Sequence, residues 1–246
     1  MNKIKDAISR HERIALQFSG GKDSLAVLDV LRPYLDKITV YWCNPGDPLP
    51  EHAAFVRGIG SRLPNFVEIE GRLFETVSKY GIPSDIVPFS SSYAARAIGV
   101  IETHPINGRY DCCFDSLMAP LHERMLEDGT TLIIRGQKSS DRYKGHLRSG
   151  DTDTSGIEYL YPIETWNDQD VLDYLWQHGI ELPDYYKAGI GNSIDCAVCT
   201  AWLSEGKGAY LKERHPDLYQ TYQSNLLTIA HACKGVGDNL IKELEA

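Results

Sequence analysis

Apolar residues gather in short clusters whose spacing switches between two periods. Arg13-Ile14-Ala15-Leu16-Gln17-Phe18 ends in apolar β-formers and reads as a strand. After Ser24 apolar side chains recur at helical spacing to Leu31, and Pro33 predicts the stop. Ile38-Thr39-Val40-Tyr41-Trp42-Cys43 is a β-branched and aromatic run, so a second strand follows. Strand, helix and strand in this order predict a βαβ unit and therefore a parallel sheet. A helix over about 51–62, a strand over 66–70 and a short helix over 73–80 repeat the unit, and a polar amphipathic helix is expected over 1–12.

Downstream the periodicity weakens. Pro83, Pro88, Gly99, Pro105 and Gly108 interrupt residues 81–110, which are expected to be irregular with one short helix. Helical spacing returns over 114–126 despite Pro120, and Thr130-Thr131-Leu132-Ile133-Ile134-Arg135 predicts a buried strand that runs into Gly136. Residues 137–156 carry almost no apolar side chain and are expected to form a long mobile loop. Asn167 is placed as the N-cap of a helix reaching about Leu175, and a last helix is expected over about 217–234. Together these predict an α/β domain over residues 1–165 and a helical C-terminal segment over 166–246.

At 246 residues and 42% apolar composition, the chain can bury a full core as one domain with or without an appendage. A net charge of −9 excludes a general nucleic-acid coat and leaves room for a local polyanion contact. The start Met1-Asn2-Lys3-Ile4-Lys5-Asp6 lacks the apolar core of a signal peptide, and no run approaches the length of a membrane span. A cytoplasmic protein without membrane contact is expected, whose six cysteines serve as ligands, nucleophiles or core residues instead of disulfides.

Ser19-Gly20-Gly21-Lys22-Asp23-Ser24, between the first strand and its helix, carries the clearest chemistry. Two adjacent glycines let backbone N–H groups turn inward as a nest, and the helix N-terminus adds unpaired donors and partial positive charge. Lys22 adds a cation and the hydroxyls of Ser19 and Ser24 further donors, so an anion site is expected, although its spacing does not fit the Walker loop. The loop Asn44-Pro45-Gly46-Asp47-Pro48-Leu49-Pro50-Glu51 follows the second strand, where open parallel sheets bind ligands, and is expected to border that site. Lys138, Arg142, Lys144 and Arg148 are candidates for a clamp on phosphate, sulfate or a nucleic-acid backbone.

Cys112-Cys113 and Cys196-Ala197-Val198-Cys199 form the second candidate site. A Cys-x-x-Cys puts two sulfurs on one small turn and serves zinc and iron–sulfur centres alike, while an adjacent Cys-Cys fits common zinc ribbons poorly. Buried free thiols and a structural zinc stay open on this evidence. Cys43, at a predicted strand end, is expected in the core.

The glycine loop resembles the pyrophosphate loop (PP-loop) of the N-type ATP pyrophosphatases, which share an adenine-nucleotide α-hydrolase fold, cleave ATP between the α and β phosphates and pass AMP to a substrate. Pro162-Ile163, Trp166, Asp170-Val171 and Tyr174-Leu175 resemble the pattern that follows the nucleotide domain in the phosphoadenosine phosphosulfate (PAPS) reductase branch. The cysteine pairs, with Pro120-Leu121 after the first and Gly191, Ser193-Ile194 and Thr200 about the second, resemble the [4Fe-4S] site of adenylyl-sulfate reductases and of the ATP pyrophosphatases of DNA phosphorothioation. The resemblance covers roughly residues 13–200. It implies a doubly wound parallel sheet with a helical C-terminal appendage. It also implies ATP and Mg²⁺ at Ser19, Gly20, Gly21, Lys22, Asp23, Ser24, Gly136, Lys138 and Arg142, with Lys22, Asp23 and Ser24 as the catalytic residues and Cys112, Cys113, Cys196 and Cys199 as cluster ligands. Asp23 would hold the metal or cap the helix.

Three positions depart from the family. Asn44-Pro45 replaces the Asp-Thr common after the second strand, Ser116-Leu117 replaces an Arg-Lys pair near the cluster, and the C-terminal Glu-Cys-Gly that carries the reductase nucleophile is absent. Cys233, beside Lys234, reads as a small residue of the last helix. The expectation is an ATP pyrophosphatase that activates an acceptor in nucleic-acid sulfur modification. Its expected partners are a cysteine desulfurase, other modification subunits, a local nucleic-acid contact and a second copy in a homo-oligomer. The alternatives are a sulfonucleotide reductase with a displaced nucleophile and a non-catalytic nucleotide-binding subunit.

Overall fold

Every apolar side chain of the first strand is buried. The computed structural model describes residues 2–99, 106–142, 144–203 and 206–245. Helix α1 (Asn2–Arg10) precedes β1 (Ile14–Gln17), and α2 (Lys22–Val30) returns to β2 (Ile38–Asn44). Then come α3 (Pro50–Gly60), β3 (Phe66–Glu70), α4 (Leu73–Tyr80), β4 (Ile82–Ser84), α5 (Tyr93–Ala97) and β5 (Ile106–Gly108). The rest comprises α6 (Arg109–Cys113), α7 (Ala119–Glu127), β6 (Leu132–Ile134), β7 (Glu158–Leu160), α8 (Asp168–Gln177), α9 (Asp184–Lys187), α10 (Lys207–Arg214) and α11 (Pro216–Glu245).

The main sheet runs β3-β2-β1-β6-β7 with every pair parallel. Leu16, Val40 and Ile134 pack on one face with Val27 of α2, Val56 of α3 and Val171 of α8, and Ala15, Tyr41 and Ile133 pack on the other with Met125 of α7. Burying both faces requires apolar residues at successive strand positions, which is why β1 and β6 read as continuous runs. Helices on both faces make the sheet doubly wound. Strand order reverses between β1 and β6, so the crevice at their carboxyl ends is the place where such folds bind ligands.

Local structure differs from the sequence expectation in several places, strand β7 and helices α9 and α10 among them. Residues 82–84 and 106–108 pair as a second, two-stranded parallel sheet where irregular chain was expected, because a strand of that length acquires its period only from a distant partner; residues 100–105 of that stretch lie outside the described residues. The helix expected from Phe114 begins at Arg109 and contains a π-helical turn over Phe114–Met118. The last helix continues to Glu245. Residues 137–142 and 144–156 form a loop fixed at several points, as where the Ser139 amide donates to Glu164 O at 2.7 Å and that of Gly150 to Tyr159 O at 2.8 Å, and residue 143 lies outside the described residues. Among the described residues no helix is long and apolar enough to cross a membrane.

Candidate active site and cysteine cavity

The loop of residues 19–24 turns on Gly20, whose φ of +74° lies in the left-handed region. A Cβ there would stand 2.5 Å from Val56 Cγ2 and 3.0 Å from His52 Cε1, so the backbone lies directly on α3. Gly21 caps α2 without a side-chain bond, the Ser24 hydroxyl donates to Gly21 O at 2.9 Å, and the Gly21 amide donates to Ser19 Oγ at 3.3 Å. The hydroxyls of Ser19 and Ser24 stand 3.4 Å apart. From the side of α9, the Tyr186 phenol accepts the Lys22 amide at 3.1 Å. The glycine loop is thus compact and held from both sides.

Five charged side chains interlock at the start of α2. Lys22 Nζ donates to Asp23 Oδ2 at 2.8 Å and to Asp168 Oδ1 at 2.9 Å. Lys138 Nζ lies 2.7 Å from Asp23 Oδ1, 2.8 Å from Asp141 Oδ1 and 3.3 Å from Asp168 Oδ1, with its side chain 1% exposed. Burial disfavours the charged ammonium, but the bonds to Asp141 and Asp23 outweigh it, so the Lys138 pKa lies above the ordinary lysine value. The bond from Lys22 holds Asp168 below its ordinary value. Asp168 reaches Lys22 because Asn167 caps α8 through a full capping box with Asp170, which places Asp168 at the first helical position.

A crevice of about 410 Å³ opens beside this network and is lined by Ser19, Asp23, Ser24, Cys43, Gly136 and Asp195, among others. Its size lies in the range of small-molecule sites, roughly 300–1,000 Å³. Gly136 is needed for close approach, since a Cβ there would stand 3.0 Å from the Asp23 carbonyl carbon. Arg135, at the end of β6, places a cation on the wall. Cys43 lies in the core as expected and also lines the crevice, its thiol pushed up to about 12 by burial.

The expected clamp divides. Lys138 joins the network, whereas the Lys144 ammonium bonds the Ser139 carbonyl and Arg148 donates to the carbonyls of Gly145 and Leu147 at 3.0 Å. Arg142 lies in the same loop and does not line the crevice. The Asn44–Glu51 loop borders a different space from the one expected, because Asp47 lines the cysteine cavity and its carbonyl accepts the Ala197 amide at 2.8 Å.

Cys112, Cys113, Cys196 and Cys199 line one cavity of about 110 Å³, walled by Leu73, Phe74, Ile82 and Pro83. Burial, reinforced by the neighbouring thiols, pushes Cys113 up to about 12 and Cys196 well above the ordinary range. Burial likewise pushes Cys112 up to about 11, against the hydrogen bond from Ser116. Among the described residues no group of three or more His, Cys, Asp or Glu is arranged to hold a metal ion. The small sheet joins the two cysteine segments: Thr200 Oγ1 donates to Pro83 O at 2.7 Å, the Leu203 amide to Asp85 Oδ2 at 3.1 Å, and Arg109, three residues before Cys112, meets Asp85 at 3.1 Å. The Arg109 guanidinium also covers the Trp202 ring at 3.9 Å. Cys113 and Leu117 line both cavities, so the crevice and the cysteine space share a wall.

Sequence reasoning named the loop, Gly136, Lys138 and the four cysteines, and missed Asp141, Asp168 and Tyr186 as parts of the same site. Asp168 and Tyr186 lie in segments whose local pattern explains them as helix residues, so no sequence signal separates them from ordinary surface positions.

Comparison with known proteins is consistent with this geometry. No curated protein matches the sequence. Among solved structures, the chain is similar to the phosphoadenylyl-sulfate reductase of Candida auris in its phosphate complex, with 13% identity, 77% of this chain and 84% of that one covered, and a TM-score of 0.54. It is also similar to the FMN adenylyltransferase of Candida glabrata with FMN and an ATP analogue (15% identity, 73% and 53% covered, TM-score 0.42) and to yeast FAD synthetase with FAD (14%, 73% and 54%, 0.41). The phosphoadenosine phosphosulfate reductase domain matches residues 13–202, and the chain belongs to that family.

Proposed function

We propose that this chain is an ATP pyrophosphatase that adenylates an acceptor during sulfur modification of nucleic acid. The observation that supports it most is the pair of ammonium groups, Lys22 and Lys138, held on Asp23 at the amino end of α2 beside a nucleotide-sized crevice. In the reaction an acceptor oxygen attacks the α phosphorus, and the bond from that phosphorus to the bridging oxygen breaks. Pyrophosphate leaves with the electron pair, AMP stays on the acceptor, and the acceptor proton passes to solvent. The Lys22 and Lys138 ammonium groups meet the charge that develops on pyrophosphate, with the N–H groups of the glycine loop. Asp23 and Asp141 would hold Mg²⁺, which neutralises polyphosphate charge when bound. Gly136 keeps the crevice wall close to Asp23.

The same reading assigns a [4Fe-4S] cluster to the cysteine cavity, because four soft sulfur donors line one space and thiolates are the ligands such centres take. Cys112, Cys113, Cys196 and Cys199 would hold it, and when bound it would supply electrons or sulfur chemistry beside the crevice. The sulfur source would be a cysteine desulfurase, and the acceptor a nucleic acid presented by further modification subunits or by a second copy of the chain.

Reduction of a sulfonucleotide needs a thiolate within reach of sulfur. Cys233 lies on α11 with its thiol 3.8 Å from Ile86 O and lines neither cavity, which favours adenylation. Incubation with ATP and Mg²⁺ should release AMP and pyrophosphate, and Lys22→Ala should abolish release. Tight nucleotide binding without release, whatever acceptor is offered, would favour the non-catalytic reading. Thiol-dependent sulfite release from adenylyl sulfate, lost in Cys233→Ser, would make the protein a reductase. Anaerobic purification should yield a brown protein, and a colourless one with stoichiometric zinc would sink the cluster.

A further inference from the structure

Three carboxylates line the crevice, and they differ in how they are neutralised. Asp23 and Asp141 pair with Lys138 at 2.7 and 2.8 Å. Asp195, the residue before Cys196, has no Lys or Arg partner among the described residues. Its Oδ1 faces His52 Nε2 at 3.5 Å, and neither atom has a hydrogen-bond partner. Its Oδ2 accepts from the Ser193 hydroxyl at 3.3 Å.

His52 is fully buried beneath Gly20. Its Nδ1 lies 2.9 Å from the Tyr185 phenol oxygen, so α9 holds the ring with its Nε2 edge facing the Asp195 carboxylate.

At the loop end the carboxylates are covered by the Lys22 and Lys138 ammonium groups, whereas Asp195, near the cysteines, has no Lys or Arg within ion-pair distance among the described residues. A carboxylate only accepts hydrogen bonds, so a group seated against it must donate one.

We infer that Asp195 is a specificity residue for the acceptor and that His52 is its positioning residue. Asp195 accepts a hydrogen bond from a neutral or cationic group of the acceptor and repels an anionic one such as the sulfate of a sulfonucleotide. The inference rests on the reading of the crevice as the adenine-nucleotide site. It explains how a member of this family would turn away the substrate for which the family is named, without any change in the phosphate loop.

The test is calorimetric titration of the full chain with ATP, AMP and adenylyl sulfate, the last two differing in the sulfate alone. Asp195→Asn should raise the affinity for adenylyl sulfate relative to AMP by about tenfold, since it removes one like charge at short range. Asp195→Ser, also uncharged, is measured alongside so that a folding defect in either variant leaves the other. His52→Leu should weaken the discrimination, and His52→Gln, whose amide presents a donor toward Asp195, should recover it. An unchanged ratio of the two affinities in both Asp195 variants, with AMP still bound, overturns the role of Asp195 alone. Failure of the unmodified chain to bind any of the three nucleotides overturns the nucleotide reading and this inference together.

Discussion

Lys138 buries its ammonium among Asp23, Asp141 and Asp168, and removing such a charge leaves its partners exposed to one another. Lys138→Met should destabilise the fold by about 3–5 kcal/mol, because Asp141 loses its counter-ion and Asp23 keeps only Lys22, and ATP binding should be lost with it; urea denaturation and equilibrium dialysis check both. Gly20→Ala places a methyl group 2.5 Å from Val56 Cγ2 at a left-handed φ of +74°. It should cost about 1–3 kcal/mol, visible in the denaturation midpoint. The sequence displayed Gly20 and Lys138 as candidates, since glycine pairs and basic loops carry a chemical signature. It did not display that Lys138 is interior, because Asp23 of α2 and Asp168 at the start of α8 meet its ammonium only in the folded chain.

At the scale of elements, α3 and α10 are joined through one carboxylate. Glu51 accepts from the Tyr210 phenol at 2.5 Å and from His215 Nε2 at 2.8 Å. Burial pushes its pKa up, but these two bonds outweigh burial and hold it below the ordinary value. The stability this link supplies is therefore fully present above the unfolded value of about 4.3 and is lost as pH falls through the lower folded value. The urea midpoint should fall with acid below about pH 4.3 in the unmodified chain, while Glu51→Gln should start lower at neutral pH and lose less on acidification. The helix starting at Asn167 and the strands of the main sheet were legible from caps and apolar runs. The β4–β5 pair was not, because each strand contributes three residues among prolines and glycines and is stabilised by contact with a partner twenty or more positions away. That small sheet brings Arg109 and Thr200 together and so aligns the two cysteine pairs.

At the scale of the molecule, the C-terminal third packs into a separate apolar core of Leu49, Tyr185, Ile190, Ile194, Ala197 and Leu211, with the cysteine cavity at its edge. Under the proposed cluster reading, a chelator added under anaerobic conditions should raise hydrogen exchange in residues 109–118, 183–203 and 206–215 while leaving β1, β2 and β6 protected, read by mass spectrometry. By itself the sequence determined the parallel α/β class, the glycine loop between the first strand and its helix and the two cysteine pairs, because strand periodicity, helix caps, glycine turns and paired thiols are local chemistry written in adjacent residues. Only the tertiary structure decided that the thiols share one cavity, that this cavity shares a wall with the crevice beside the glycine loop, and that Asp168, Tyr186, His52 and Asp195 belong to the loop's surroundings. Those contacts join residues more than a hundred positions apart, and such proximity is set by how the sheet and its helices pack, which no local spacing records.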